Sequence, residues 1–226
     1  MLPIYAVQTT DEGGGLEQHR ANAIARLGAA DATGPGTFFP PERAGGLDFE
    51  AAFEDWRTTL FLPWLGPRFI AVHLAAARME SERILEIDRE IDTHLSPPAR
   101  QRSLEAARPF LEGRTEIRSQ PQWVKFLQAA EREQTPGHLP TIFSLQAALF
   151  HLPLLPALTA YMNLEGANGL AAMAGGKRWD LDRFAETYPE GAESARLVFQ
   201  AGWSTVDSDS SDDDFDVPGG SRLVSL

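Results

Sequence analysis

The feature that most constrains the fold of this chain is its longest apolar run, residues 134–168. The run opens on a turn that contains Pro136 and Pro140. An incoming helix must end there, because proline lacks the N–H group and restricts the residue before it. Residues 141–150 and 154–161 then carry apolar side chains at helical spacing, separated by a second proline break. The pattern predicts a buried helical hairpin at the centre of an all-α domain.

The rest of the chain is also patterned as helices, with neither strand-like alternation nor an internal repeat. Pro63 and the Gly66-Pro67 pair are expected to break the chain between two of these helices. Outside the central hairpin, the predicted helices cover residues 16–27, 49–60, 68–79, 81–95, 99–111, 121–133, 164–173, 179–188 and 192–203. The expected fold class is all-α, a single-domain multi-helix bundle.

Composition divides the chain into three parts. Residues 1–47 form an N-terminal segment with a Gly/Pro-rich loop, and residues 48–203 form the all-helical domain. Residues 204–226 are acidic and rich in serine, so this tail is expected to be disordered and solubilising, with docking to a basic partner or weak cation binding as alternatives. A chain of 226 residues can bury a core without help from a metal or a disulfide.

Charge and residue usage exclude several classes of function. The formal net charge of −12 argues against nucleic-acid binding, which needs a basic surface. The absence of cysteine excludes disulfides, thiol nucleophiles and zinc–thiolate sites. No apolar run of about 20 residues is free of proline or charge, so no membrane span is expected. The N-terminus lacks the features of a signal peptide, which makes the cytoplasm the expected location.

The central run also carries a family resemblance. Residues 136–140 read Pro-Gly-His-x-Pro, and an apolar helix, a Leu-Pro break, an Ala-Leu pair and Tyr161 follow in that order. This order resembles the urease accessory protein F family. Shorter segments resemble the same family in the same order. They are Leu2-Pro3-Ile4, Gly15-Leu16-Glu17, Phe53-x-x-Trp56 and Ser103-x-x-x-Ala107-Arg108, where Ala107 replaces the family's glycine. The resemblance spans residues 2–173 approximately.

The resemblance implies a non-catalytic scaffold without a cofactor. Such a protein would be a homodimer that binds a companion accessory scaffold and the urease-activating GTPase, and that couples GTP hydrolysis to nickel delivery into apo-urease. The family motif implies that three residues shape the turn, namely Pro136, Gly137 and Pro140. It also implies partner-binding positions, namely Glu17, Ser103, Arg108, His138, Tyr161 and Asn168.

The chain departs from the family pattern in two further places. Residues 28–46 look like an insertion. Residues 169–176 lack the arginine and the Pro-Leu-Gly-Gln ending that the family is expected to use against its partner proteins. A diverged relative with a different client is therefore an open alternative.

An α-helical metal-dependent enzyme or small-ligand binder is the second hypothesis. It would use His73, Glu90 and His94 in the interior of the bundle, because Glu90 and His94 are four residues apart on one helix. Asp88 and Asp92 have the same spacing and could share a metal ion. A core histidine is the simpler interpretation of His73, and neither a nucleophile elbow nor a phosphate-binding loop is present in the sequence. We therefore predict no catalytic residue and no metal site.

Overall fold

The computed structural model describes residues 49–112, 117, 119–173 and 181–209. Within these ranges the chain consists of helices and turns without a strand, which confirms the all-α prediction. The predicted helix at residues 16–27, and residues 210–226 of the predicted disordered tail, lie outside the described ranges. In chain order the elements are α1 (Phe49–Trp56), a π segment (Arg57–Leu65), α2 (Gly66–Ala77), α3 (Ser81–His94), α4 (Pro97–Glu112), α5 (Pro121–Glu131), α6 (Leu139–Leu149), α7 (Leu154–Met173), α8 (Leu181–Thr187) and α9 (Glu190–Asp209).

The break predicted at Pro63 is wrong. α1, the π segment and α2 form one continuous helix, because the nine residues of the π segment carry the chain past Pro63 with a wider turn. The backbone N–H of Gly66 donates to the carbonyl of Phe61, five residues back. The break predicted at Gly66-Pro67 is wrong as well, because the helix continues through both residues to Ala77. The wider π turn accommodates the missing N–H of Pro63, so the proline does not end the helix.

The predicted central hairpin is confirmed. α6 is buried along almost its whole length and packs along α2 and α4, and α7 returns beside it. The Tyr161 ring of α7 lies 5.2 Å from the ring of Phe69 in the first helix and 5.7 Å from that of Phe143 in α6, between ring centroids, so it contacts both neighbours. α7 is one helix from Leu154 to Met173, which joins the predicted segments 154–161 and 164–173.

The remaining helices follow the prediction, with differences at their ends. α3, α4 and α5 begin and end within two residues of the predicted bounds. α9 continues to Asp209, beyond the predicted end at Trp203, so the predicted start of the disordered tail at residue 204 falls inside a helix. Ser and Asp are weak helix formers rather than helix breakers, and composition alone placed this end too early.

One helix of the described part is long and apolar enough to cross a membrane, the continuous helix from Phe49 to Ala77. Half of its most apolar window is buried inside the protein. Its buried side chains contact α6, α7 and α9, as those of a core helix do. Length and apolar composition are weak indications in that situation, and packing accounts for the apolar character.

A buried turn as the candidate functional site

The Pro-Gly-His-x-Pro segment forms a buried turn between α5 and α6. Gly137 has a φ of +84°, a conformation that glycine adopts without strain. His138 is the last extended residue before α6, and Pro140 lies in the first helical turn, where its missing N–H is tolerated. Thr135, Gly137 and His138 are all buried. The sequence motif therefore forms the entry into the central helix.

Asp88 of α3 holds this turn in place. Its side chain is completely buried and accepts three hydrogen bonds. The donors are the Thr135 hydroxyl at 2.7 Å, the Gly137 N–H at 2.7 Å and the His138 N–H at 3.0 Å. A carboxylate is favoured there, because the N-terminus of a helix carries a partial positive charge and unpaired N–H groups. The turn and α3 are joined by hydrogen bonds to a charged acceptor, which are stronger than neutral ones.

Two further side chains extend the network on either side. The Ser103 hydroxyl of α4 accepts a hydrogen bond from the Leu139 N–H at 3.1 Å, which satisfies the first N–H of α6. His138 Nε2 lies 3.1 Å from Asp92 Oδ1, and the same Asp92 oxygen lies 3.0 Å from Arg100 Nε. The turn is therefore tied to α3 and α4 at once.

The structure corrects the partner-facing role predicted for Ser103, His138 and Tyr161. All three side chains are at most 1 % exposed, so none of them offers a surface to another protein. The Tyr161 hydroxyl donates to Glu165 Oε1 at 2.6 Å, inside the core. Arg108 is exposed on α4, Asn168 is partly exposed on α7, and Glu17 lies outside the described residues. The family motifs in this chain therefore contain both buried structural residues and surface residues.

Glu165 is a buried carboxylate that sequence reasoning did not single out. Besides its bond to Tyr161, it lies near Arg102 of α4. Burial lowers the pKa of the Arg102 guanidinium, and the charges of Glu165 and Glu105 oppose that shift. A buried carboxylate is tolerated only with such partners. The family motif contains Tyr161 but gives no sign of the acid one helical turn later.

The metal-site hypothesis is contradicted by the geometry of its residues. Among the described residues, no three histidine or carboxylate side chains form a group that could hold a metal ion. His73 is buried in α2, where desolvation lowers its pKa to about 4. The His94 ring instead stacks on Trp64 at 3.9 Å, and Glu90 pairs with Arg83. Asp88 and Asp92, the other candidate pair of ligands, both contact residues of the turn instead, namely Gly137 and His138.

Sequence reasoning considered Asp88 only as a metal ligand and missed its role in the turn. A signal was available, because Asp88 lies at helical spacing between Ile84 and Ile91 on the buried face of α3. An acid in an apolar stripe needs a partner, since an unpaired buried charge is costly. The sequence does not say which partner, because the donors are 47 to 50 residues away along the chain.

The fold and the turn together define a class of protein. It is all-helical, and a buried Pro-Gly-His-x-Pro turn leads into the first helix of its central hairpin. The UreF family model matches residues 50–174, more than half of the chain, and this protein belongs to the UreF family. The match contains α1 to α7 with the turn and Asp88, whereas the N-terminal motifs and α8 and α9 lie outside it. Membership implies a urease accessory role. Searches of curated proteins and of solved structures return no match.

Proposed function

We propose that this protein is a non-catalytic scaffold that regulates the urease accessory GTPase during nickel insertion into apo-urease. It would act in the cytoplasm as a homodimer, together with a companion accessory scaffold, and it would bind neither nucleic acid nor a membrane. Nickel is the cargo of this process and not a resident cofactor of the chain. The helical unit at residues 48–203 would be the working domain.

The observation that carries this proposal is the family match over the turn and its supports. In the segment that carries the Pro-Gly-His-x-Pro motif, a buried carboxylate, a buried serine and a buried histidine all form hydrogen bonds that fix the shape of the turn. Those contacts leave no reactive group exposed at the turn. A motif whose residues fix the backbone shape is consistent with a scaffold protein, because the surfaces of a scaffold must be held in fixed positions to bind partners.

Arg108 is the predicted partner-binding residue that best fits direct contact. It is exposed on α4, four residues from the partly exposed Leu104 and beside the exposed Pro109. Arginine is common at the energetic centres of interfaces because it forms several hydrogen bonds and packs through its stem. The buried residues of the same motif would act indirectly, by holding α4 where Arg108 can be presented.

Co-purification with the accessory proteins tests the proposal. The full chain is expressed with the host's urease accessory GTPase and companion scaffold, and a stable complex is expected. Arg108→Glu is expected to weaken the complex at least tenfold, whereas Arg78→Glu, a charge reversal at an exposed arginine of the turn after α2, should leave it unchanged. A parent protein that elutes alone from such cells, and that cannot support urease activation in them, would refute the scaffold role.

A further inference from the structure

The buried side chains of the first helix follow one another at intervals that a regular α-helix cannot keep in line. One line of them runs through Phe49, Phe53, Trp56, Phe61, Leu65, Phe69, Val72 and Ala76, and Ile70, His73 and Ala75 are buried beside this line. All steps are three or four residues except the step of five from Trp56 to Phe61, which lies in the π segment. At 3.6 residues per turn, Leu65 would lie about 180° from Trp56, on the opposite side of the helix. The π segment brings both residues to the same side.

We propose that the π segment is a one-residue insertion held in place by the aromatic side chains of α1 and not by Pro63. In this view the helix has two possible registers, and the buried stripe selects between them. Trp56 and Phe61 stack at 5.4 Å between ring centroids, and Phe61 reaches Tyr161 of the central hairpin at 6.4 Å. The π segment places Trp56 and Phe61 on the same side of the helix, so that the rings of Trp56, Phe61 and Tyr161 form a continuous row.

The competing register is unfavourable because of what it would bury. If the helix were regular from Phe61 backwards, the residues one, two and three turns earlier would face the core. These are Arg57, Glu54 and Glu50, and both glutamates are exposed in the structure. Burying charged side chains in exchange for three aromatic ones opposes folding. Arg57 is instead bound at the surface of the bundle, to Glu54 at 2.7 Å and to Ser194 of α9 at 3.0 Å.

A single-residue deletion separates the two explanations of the π segment. Deleting Thr59, an exposed residue between Trp56 and Phe61, would place Phe61 about 40° and Leu65 about 80° from Trp56 in a regular helix, within the width of an apolar stripe. The deletion is made in a Pro63→Ala background, so that no proline disrupts the regular helix. Pro63→Ala alone is the reference, and its crystal structure should retain the π segment.

The matched control removes Glu86, an exposed residue in the middle of α3, in the same Pro63→Ala background. Thermal unfolding followed by circular dichroism should give the Thr59 deletion a cooperative transition within about 5 °C of the reference, and the Glu86 deletion none or one lowered by more than about 10 °C. Loss of the cooperative transition in the Thr59 deletion would overturn the proposal. So would a regular α-helix in Pro63→Ala alone, because proline would then be the cause.

Discussion

Asp88 accepts three hydrogen bonds from the turn before α6, two of them from backbone N–H groups. Asp88→Ala would leave these buried donors without an acceptor, and the free energy of unfolding should fall by about 3 kcal/mol or more. Urea unfolding of parent and variant measures the loss. Glu86→Gln, which neutralises an exposed carboxylate on the same helix, should change stability by less than about 0.5 kcal/mol. A loss below 1 kcal/mol for Asp88→Ala would contradict the role assigned to this side chain.

His73 makes the stability of the fold depend on pH. Its pKa is lowered to about 4 by burial, whereas in the unfolded chain it lies near 6.5. The unfolded state therefore binds more protons between these values. The stabilisation is complete above pH 6.5 and is lost as the pH falls towards 4, by at most about 3 kcal/mol. His73→Phe should remove this part of the slope.

Comparing the two proteins at pH 7.5 and pH 5 isolates His73, because every other titrating group is common to both. The parent should lose more stability than His73→Phe over this interval, by roughly 1 to 2 kcal/mol. Equal losses in the two proteins would mean that His73 is protonated in the folded state, or reaches water by a route that the structure does not contain.

In the part of the chain that the structure describes, three helices are followed by a non-glycine residue in the left-handed conformation: Met79 after α2, Glu133 after α5 and His151 after α6. After α5, the Gln134 N–H donates to the Ala129 carbonyl at 2.8 Å, which closes a Schellman motif around Glu133. Glycine is favoured at this position, so Glu133→Gly should stabilise the protein by about 0.5 to 1 kcal/mol. The melting temperature should rise by about 1 to 4 °C. Glu133→Ala keeps the strained backbone, and a gain of equal size in that variant would count against the explanation.

At the level of elements, local sequence signals predicted most helix ends. They failed where the packing of side chains in the core determines the course of the helix. The starts of α5 and α7 follow from Pro121 and from the break before Leu154, which act within a few residues. The π segment could not be predicted from Pro63, because its cause is the position of buried aromatic side chains relative to the rest of the core. The five-residue step from Trp56 to Phe61 was nevertheless present in the sequence.

The same distinction applies to the candidate site. The turn motif was predicted because proline and glycine constrain their own backbone. The spacing of apolar residues predicted that Tyr161 lies in a buried helix. Its assignment to a partner surface came only from the family resemblance, and the structure places the side chain in the core instead. Contacts such as the one between Asp88 and Gly137 join residues 49 positions apart, and no local pattern encodes them.

Over the whole molecule, the helices outside the family match are integral to the core of the part described. Phe184 of α8 is completely buried and contacts Phe49 and Phe53 of α1, with centroids 6.0 and 5.9 Å apart. Val198 of α9 lies against Gly66, where a Cβ atom would approach one of its methyl groups to 2.7 Å. The working domain proposed here therefore includes α8 and α9 as structural parts.

A double-mutant cycle at Gly166 tests this integration. A Cβ atom on Gly166 of α7 would lie 2.2 Å from the Phe184 ring, so Gly166→Ala should destabilise the protein by about 2 to 3 kcal/mol. Phe184→Leu removes the ring and should by itself cost about 1 to 2 kcal/mol. If α8 is packed on α7, the double variant must be more stable than the sum of the two losses predicts, by at least about 1 kcal/mol, because the shortened side chain makes room for the methyl group. Additive losses would mean that the Phe184 ring of α8 does not lie against Gly166 in solution.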